Sequence, residues 1–154
     1  MENVFNIVPA ASGVYTFIWI FGVVMVVLIV GLVAMFASFG YQARHATFTL
    51  ADTGLQIGPG LYSRTIPKAS VDFTGVRAMD LNVEKNYQLK WRTNGTGMPG
   101  FSVGWFKLQN SEKALAFITN RSSVVYIPTT DNYSVLLSVK DAANMVAALK
   151  QWGK

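Results

Sequence analysis

Hydrophobic positions follow three regimes along this chain. The first is unbroken: residues 17–37 run for 21 positions without a charged side chain. A bilayer core about 30 Å thick needs roughly 20 apolar residues in a helix. In lipid the backbone must satisfy its own N–H and C=O groups, which forces a helix even on a Val- and Ile-rich run. The pattern predicts a transmembrane helix over 14–41, with Tyr15 and Trp19 near one end and Tyr41 near the other as interfacial aromatics. Ala34 and Ser38 have the spacing at which a second helix could seat.

The second regime has period two. Thr47, Thr49 and Ala51 alternate with Phe48 and Leu50, Asp52-Thr53-Gly54 makes a tight turn, and Leu55-Gln56-Ile57 resumes the alternation as a hairpin. Gly58-Pro59-Gly60 interrupts it. Further short strands are predicted over 61–66, 76–83, 87–92, 101–108, 114–119, 124–128 and 133–139, with polar turns between several of them. Strands at this spacing indicate an antiparallel sandwich or barrel.

The third regime is helical. Ala142, Met145, Val146, Leu149 and Trp152 fall on one face of a helix predicted over 139–152. Ser138-Val-Lys-Asp141 looks like a capping box at its start. One amphipathic helix after many strands needs a surface for its apolar face. The open end of a small barrel supplies one, and the membrane surface is the alternative.

Charge sharpens the division. The whole chain is 51% hydrophobic and only 14% charged, yet all 13 basic residues and seven of the eight acids follow residue 41, a balance of +6. A short segment over 1–13, the helix over 14–41 and a globular domain over 44–154 follow. A signal peptide would want a basic start and a shorter apolar core, whereas residues 1–13 hold one Glu and no Lys or Arg. Arg44 stands just after the helix and nothing basic precedes it, which predicts the N-terminus outside and the domain in the cytoplasm of a single-pass cell-membrane protein. With no Cys the chain is not a disulfide scaffold, and with one His, the juxtamembrane His45, neither a metal site nor a catalytic triad is readable.

The order of elements, many antiparallel strands closed by one terminal helix, is that of a pleckstrin-homology (PH) domain. The stretches Gly60-Leu-Tyr-Ser-Arg-Thr-Ile-Pro67, Val76-Arg-Ala-Met-Asp-Leu81, Arg92-Thr-Asn-Gly-Thr-Gly-Met-Pro-Gly-Phe101 with Gly104-Trp-Phe106, Val125-Tyr-Ile-Pro-Thr129 and Tyr133-Ser-Val-Leu-Leu-Ser138 resemble the small bacterial PH-like domains fused to transmembrane helices. The resemblance implies a membrane-tethered mainly β PH-like barrel or sandwich, capped by one C-terminal α-helix, without catalytic activity or cofactor. Eukaryotic PH domains that bind inositol phospholipids use basic residues around the first hairpin loop. Here that loop is Ala51-Asp52-Thr53-Gly54 and carries an acid.

Two features carry candidate chemistry. The Gly-rich stretch from Arg92 to Gly100 reads as an inter-strand loop whose amides, with Asn94, Gly95, Gly97 and Gly100, could cradle an anion. It lacks the Gly-Lys-Ser/Thr of a phosphate-binding loop and no helix follows it. The second feature is the basic set, of which Arg64, Lys68, Lys90 and Arg92 are the candidate binding residues; simple alternation puts Lys90 and Arg92 on one side of a strand. Trp91, Trp105, Phe101 and Phe106 read as core. Acids interleave the bases and no recognition helix is present, which argues against nucleic acid. Since the helix already supplies membrane residence, the domain is expected to bind a protein partner or a second copy of itself. The alternatives are a sensor of anionic lipid using Lys90 and Arg92, and an enzyme acting on an anionic substrate through 92–101 with Arg92 and Asp80.

Overall fold

The computed structural model describes residues 12–44 and 47–154, in two compact units that meet between Tyr41 and Gln42. The first is α1 (Ser12–Arg44). Within its stretch Gly13–Ser38 an 18-residue window has a mean hydropathy of 3.0 and holds no buried residue, so the stretch is long and apolar enough to cross a membrane. Of the N-terminal segment expected over 1–13, only Ser12 and Gly13 are described, and both are already helical; His45 also lies outside the described residues.

The second unit has nine strands and one long helix: β1 (Thr47–Ala51), β2 (Gly54–Gly58), β3 (Arg64–Pro67), β4 (Arg77–Met79), β5 (Leu89–Met98), β6 (Phe101–Leu108), β7 (Lys113–Ile118), β8 (Val124–Pro128), β9 (Ser134–Ser138) and α2 (Ala142–Trp152). β1, β2 and β3 form an antiparallel sheet in that order, as the first hairpin predicted. The other six form a sheet in the order β4-β8-β9-β7-β6-β5. The expectation of an all-antiparallel structure fails at one place, because β7 and β9 run parallel. β9 inserts between β7 and its sequence neighbour β8. Such central strands read as near-continuous apolar runs, as in Ala-Leu-Ala-Phe-Ile over 114–118 and Val-Leu-Leu over 135–137.

The central strands β7 and β9 of this sheet are buried on both faces. Leu115 and Phe117 of β7 join Leu55, Ile57 and Ile66 of the small sheet in one core, while Ala114, Ala116 and Ile118 join Phe106, Leu108 and Leu136 in another, roofed by Leu81, Tyr87 and Leu89. Each wholly buried Leu or Ile contributes about 1.5–3 kcal/mol by leaving water. All five residues assigned to the apolar face of α2 pack on the first core, with Leu149 wholly buried, so that face is engaged by the domain rather than left for a membrane.

Several boundaries move for local reasons. Strand β3 starts at Arg64 rather than 61 because Ser63 N–H donates to Gly60 C=O at 3.0 Å, closing a turn. Strand β4 stops at Met79 because Asp80 caps the next turn, its side chain accepting from Asn82 N–H at 2.8 Å. Helix α2 begins at Ala142, with Asp141 as N-cap accepting from Asn144 N–H at 2.9 Å. Ser138 is not its cap; its hydroxyl serves the turn after β7, accepting from the N–H groups of Thr119 and Asn120.

Candidate functional site

The Gly-rich stretch is not a loop. Residues 92–98 continue β5, and Pro99 and Gly100 alone turn the chain into β6, where Gly100 holds φ = +78°. Gly95 pairs with Gly104, and a Cβ on Gly95 would stand 2.4 Å from Val103 C=O. Glycine is needed there for close approach of two backbones, not for a phosphate cradle. Gly97 pairs with Ser102 in the same ladder. Asn94 accepts a hydrogen bond at 3.0 Å from the Tyr62 hydroxyl. The amides that face β6 are committed to the ladder. β5 is the last strand of its sheet, so its other edge is unpaired among the described residues.

Register determines which cations share a face. Cross-strand partners lie on the same side of a sheet. Shifts between Leu89 and Trp91 and between Arg92 and Asn94 break the simple alternation of β5. Arg92 pairs with Phe106, which belongs to the second core, whereas Trp91 pairs with Lys107, one position from that pair and so on the opposite face. Lys107 in turn pairs with Lys113 of β7. Trp91, Lys107 and Lys113 therefore form one row across three strands. The ammonium of Lys90 sits 5.1 Å from the Trp91 ring centroid. Thus Lys90 belongs with this row and Arg92 does not.

The next row continues the pattern. Trp105 packs edge-on against Tyr133 with centroids 5.1 Å apart. The Arg64 guanidinium lies 5.2 Å from the Trp105 centroid and the Lys113 ammonium 4.4 Å from it, both within cation–π range. Of the four aromatics expected in the core, Phe106 is buried and Phe101 and Trp105 partly so, but Trp91 is 57% exposed. Lys68 lies elsewhere, its ammonium 5.5 Å from the ring of Trp152 on α2. The candidate residues are thus divided: Arg64 and Lys90 lie with the aromatic rows, Arg92 on the other face, Lys68 beside α2, and Asn94, Gly95, Gly97 and Gly100 in the β5–β6 hairpin. Lys113 was missed. Its signal is present in the sequence, since it mirrors Lys107 about the turn in which Leu108 N–H donates to Glu112 C=O at 2.8 Å.

Several acids of the domain have structural partners. Asp72 accepts from Thr74 through both its hydroxyl (2.6 Å) and its N–H (3.0 Å), which holds its carboxyl below the usual range. Glu84 pairs with Arg77 at 2.7 Å, the only ion pair among the described residues. Arg77 also lies over Tyr87 and Tyr126; burial disfavours its charge, but Glu84 and Tyr87 outweigh that and raise its pKa. Burial, then the neighbouring Glu112 carboxylate to which it donates at 2.9 Å, raises the pKa of the Tyr126 phenol.

A family model of the bacterial PH domain matches residues 46–152, well over half of the chain, which therefore belongs to that family. No curated protein and no solved structure matches it. PH domains are generally non-catalytic modules.

Proposed function

Taking membership of the bacterial PH domain family as premise, we propose that this protein is a non-catalytic interaction module, anchored in the cell membrane by one span over 14–41 with its domain on the cytoplasmic side. The domain binds a protein partner or a second copy of this chain along the outer edge of β5. The observation that carries this reading is that edge: Leu89–Met98 is ten residues long, mostly exposed, and ends its sheet. An unpaired strand edge is a ready template for another strand. The anchor reading draws on the apolar stretch Gly13–Ser38, and the orientation on Arg44 at the end of α1. Catalysis through 92–101 has less support, because that segment is a paired hairpin and Asp80 is tied into a turn.

The chain has no native cysteine, which makes site-directed crosslinking clean. Photocrosslinkers at Arg92, Asn94 and Thr96 in membranes are expected to yield discrete adducts, either twice the chain mass or one constant partner. A probe at Val83, away from the edge, should yield none. Free monomer at all three β5 positions would refute the reading.

A further inference from the structure

We infer that the hollow where the tip of the β5–β6 hairpin meets the end of β7 binds a small organic carboxylate, with its charge on Arg121 and its apolar body on Met98, Phe101 and Ile118. The inference does not rest on β5 binding a protein. It concerns the tip of the hairpin, not the open edge of the strand.

Three observations carry it. First, the packing leaves room there. Gly97, Ser102 and Ile118 form a row across β5, β6 and β7 on the face of the second core, and Gly97 fills none of it. The roof of that core is tied down at Leu81, whose N–H donates to Arg121 C=O at 2.9 Å. None of the roof residues Leu81, Tyr87 and Leu89 lines the hollow, which measures about 340 Å³ and is lined by Met98, Phe101, Ser102, Ile118, Thr119 and Arg121. That volume is at the lower end for small-molecule sites and suits a ligand of about ten non-hydrogen atoms. Second, the polar groups are uncommitted. The Ser102 and Thr119 hydroxyls and the Arg121 guanidinium make no hydrogen bond or ion pair with another described residue. Thr119 uses its N–H, toward Ser138, and Arg121 its C=O. Asp80, next to Leu81 in the chain, accepts from Asn82 N–H and forms no ion pair with Arg121. A guanidinium beside two hydroxyl donors matches the two oxygens of a carboxylate. Third, the rest of the wall is apolar and unclaimed. Met98 and Phe101 pair across the hairpin and belong to neither core, and Met98 is 44% exposed. A bare anion would leave that wall wet, whereas a carboxylate on a compact apolar body covers it.

The test uses the full chain in detergent, read by NMR of labelled methionine methyl groups, because Met98 lines the hollow while Met145 sits on α2. On titration with phenylpropionate the Met98 signal should move and saturate, half-way at about 1 mM, with Met145 unmoved. Acetate, which lacks the body, and phenylpropanol, which lacks the charge, should each bind at least about tenfold more weakly. Arg121→Gln should weaken phenylpropionate binding about tenfold, and Thr119→Val about threefold. Met79, buried in the second core, reports whether each variant folds. Should Arg121→Gln disturb it, Thr119→Val and the two control compounds serve instead. A Met98 signal that phenylpropionate does not move overturns the inference. Equal binding of phenylpropanol overturns it as well, since the hollow then ignores charge, and so does equal binding of acetate, which leaves an anion site without an apolar half. Unsaturating movement shared with Met25 and Met35 of α1 marks uptake of the probe by detergent and overturns it too. Unchanged affinity in a folded Arg121→Gln removes the residue on which the assignment depends.

Discussion

Strands β9 and β5 belong to the same sheet and follow opposite rules. In β9, Val135, Leu136 and Leu137 are wholly buried between two cores, and the strand has paired neighbours on both sides. In β5, most residues are exposed, two register shifts break the ladder, and one edge is unpaired among the described residues. β9 is built of apolar side chains with no room to vary. β5 holds its place through backbone pairing and a few glycines, and leaves its side chains to the surroundings. Burial and exposure are thus assigned to different strands of one sheet, three strands apart.

The contrast can be broken by substitution. Leu136→Ala in β9 should cost about 3 kcal/mol through lost burial and a residual cavity, measured by urea unfolding in detergent. Thr96→Ala in β5 should change stability by less than about 0.5 kcal/mol in the same assay. Equal costs would erase the distinction. One position in β5 is expected to behave like core: Gly95→Ala places a methyl against Val103 C=O and should cost about 2 kcal/mol by forcing the hairpin apart. The other end of the sheet sharpens the comparison, because α2 lies against β4 and its neighbour β8. Asp141→Ala removes the cap of α2 and should lower the unfolding midpoint by the equivalent of about 1 kcal/mol. The smallest effect concerns the turn before β4. The Asp72 carboxyl is held low by Thr74, so its contribution is present at neutral pH and lost as the carboxylate takes up a proton. Asp72→Asn should be less stable than the parent at pH 7, with the two curves converging as pH falls below about 4.

What the sequence disclosed follows from how local each signal is. The apolar helix, the first hairpin and the buried face of α2 are written in period alone, and each was legible. β5 was not, because Thr93-Asn-Gly-Thr-Gly97 has no apolar residue to alternate and becomes a strand only by pairing with β6. The parallel pairing of β7 with β9 is likewise a choice of distant partner, hinted at only by their unbroken apolar runs. Of the candidate binding residues, Arg64 and Lys90 were chosen for their charge, and both lie beside tryptophan rings. Their separation from Arg92 depends on a register shift that no alternation rule contains. Trp91 was assigned to the core because aromatics in strands usually lie there; its exposure follows from being on the last strand of the sheet.

The insertion of β9 between β7 and β8 also sets an order of events during synthesis. Until residue 138 has left the ribosome, the six-stranded sheet is in two pieces, with one side of β7 and one side of β8 open. The contacts that join them come late and span much of the domain, which favours slow folding. The apolar helix α1 is made before the domain, and waits through the translation of nearly all its elements. A nascent chain halted before residue 134 would hold both strands and lack the one that joins them, so it should be handled by the cell's proteases as unfolded protein rather than as a shortened domain.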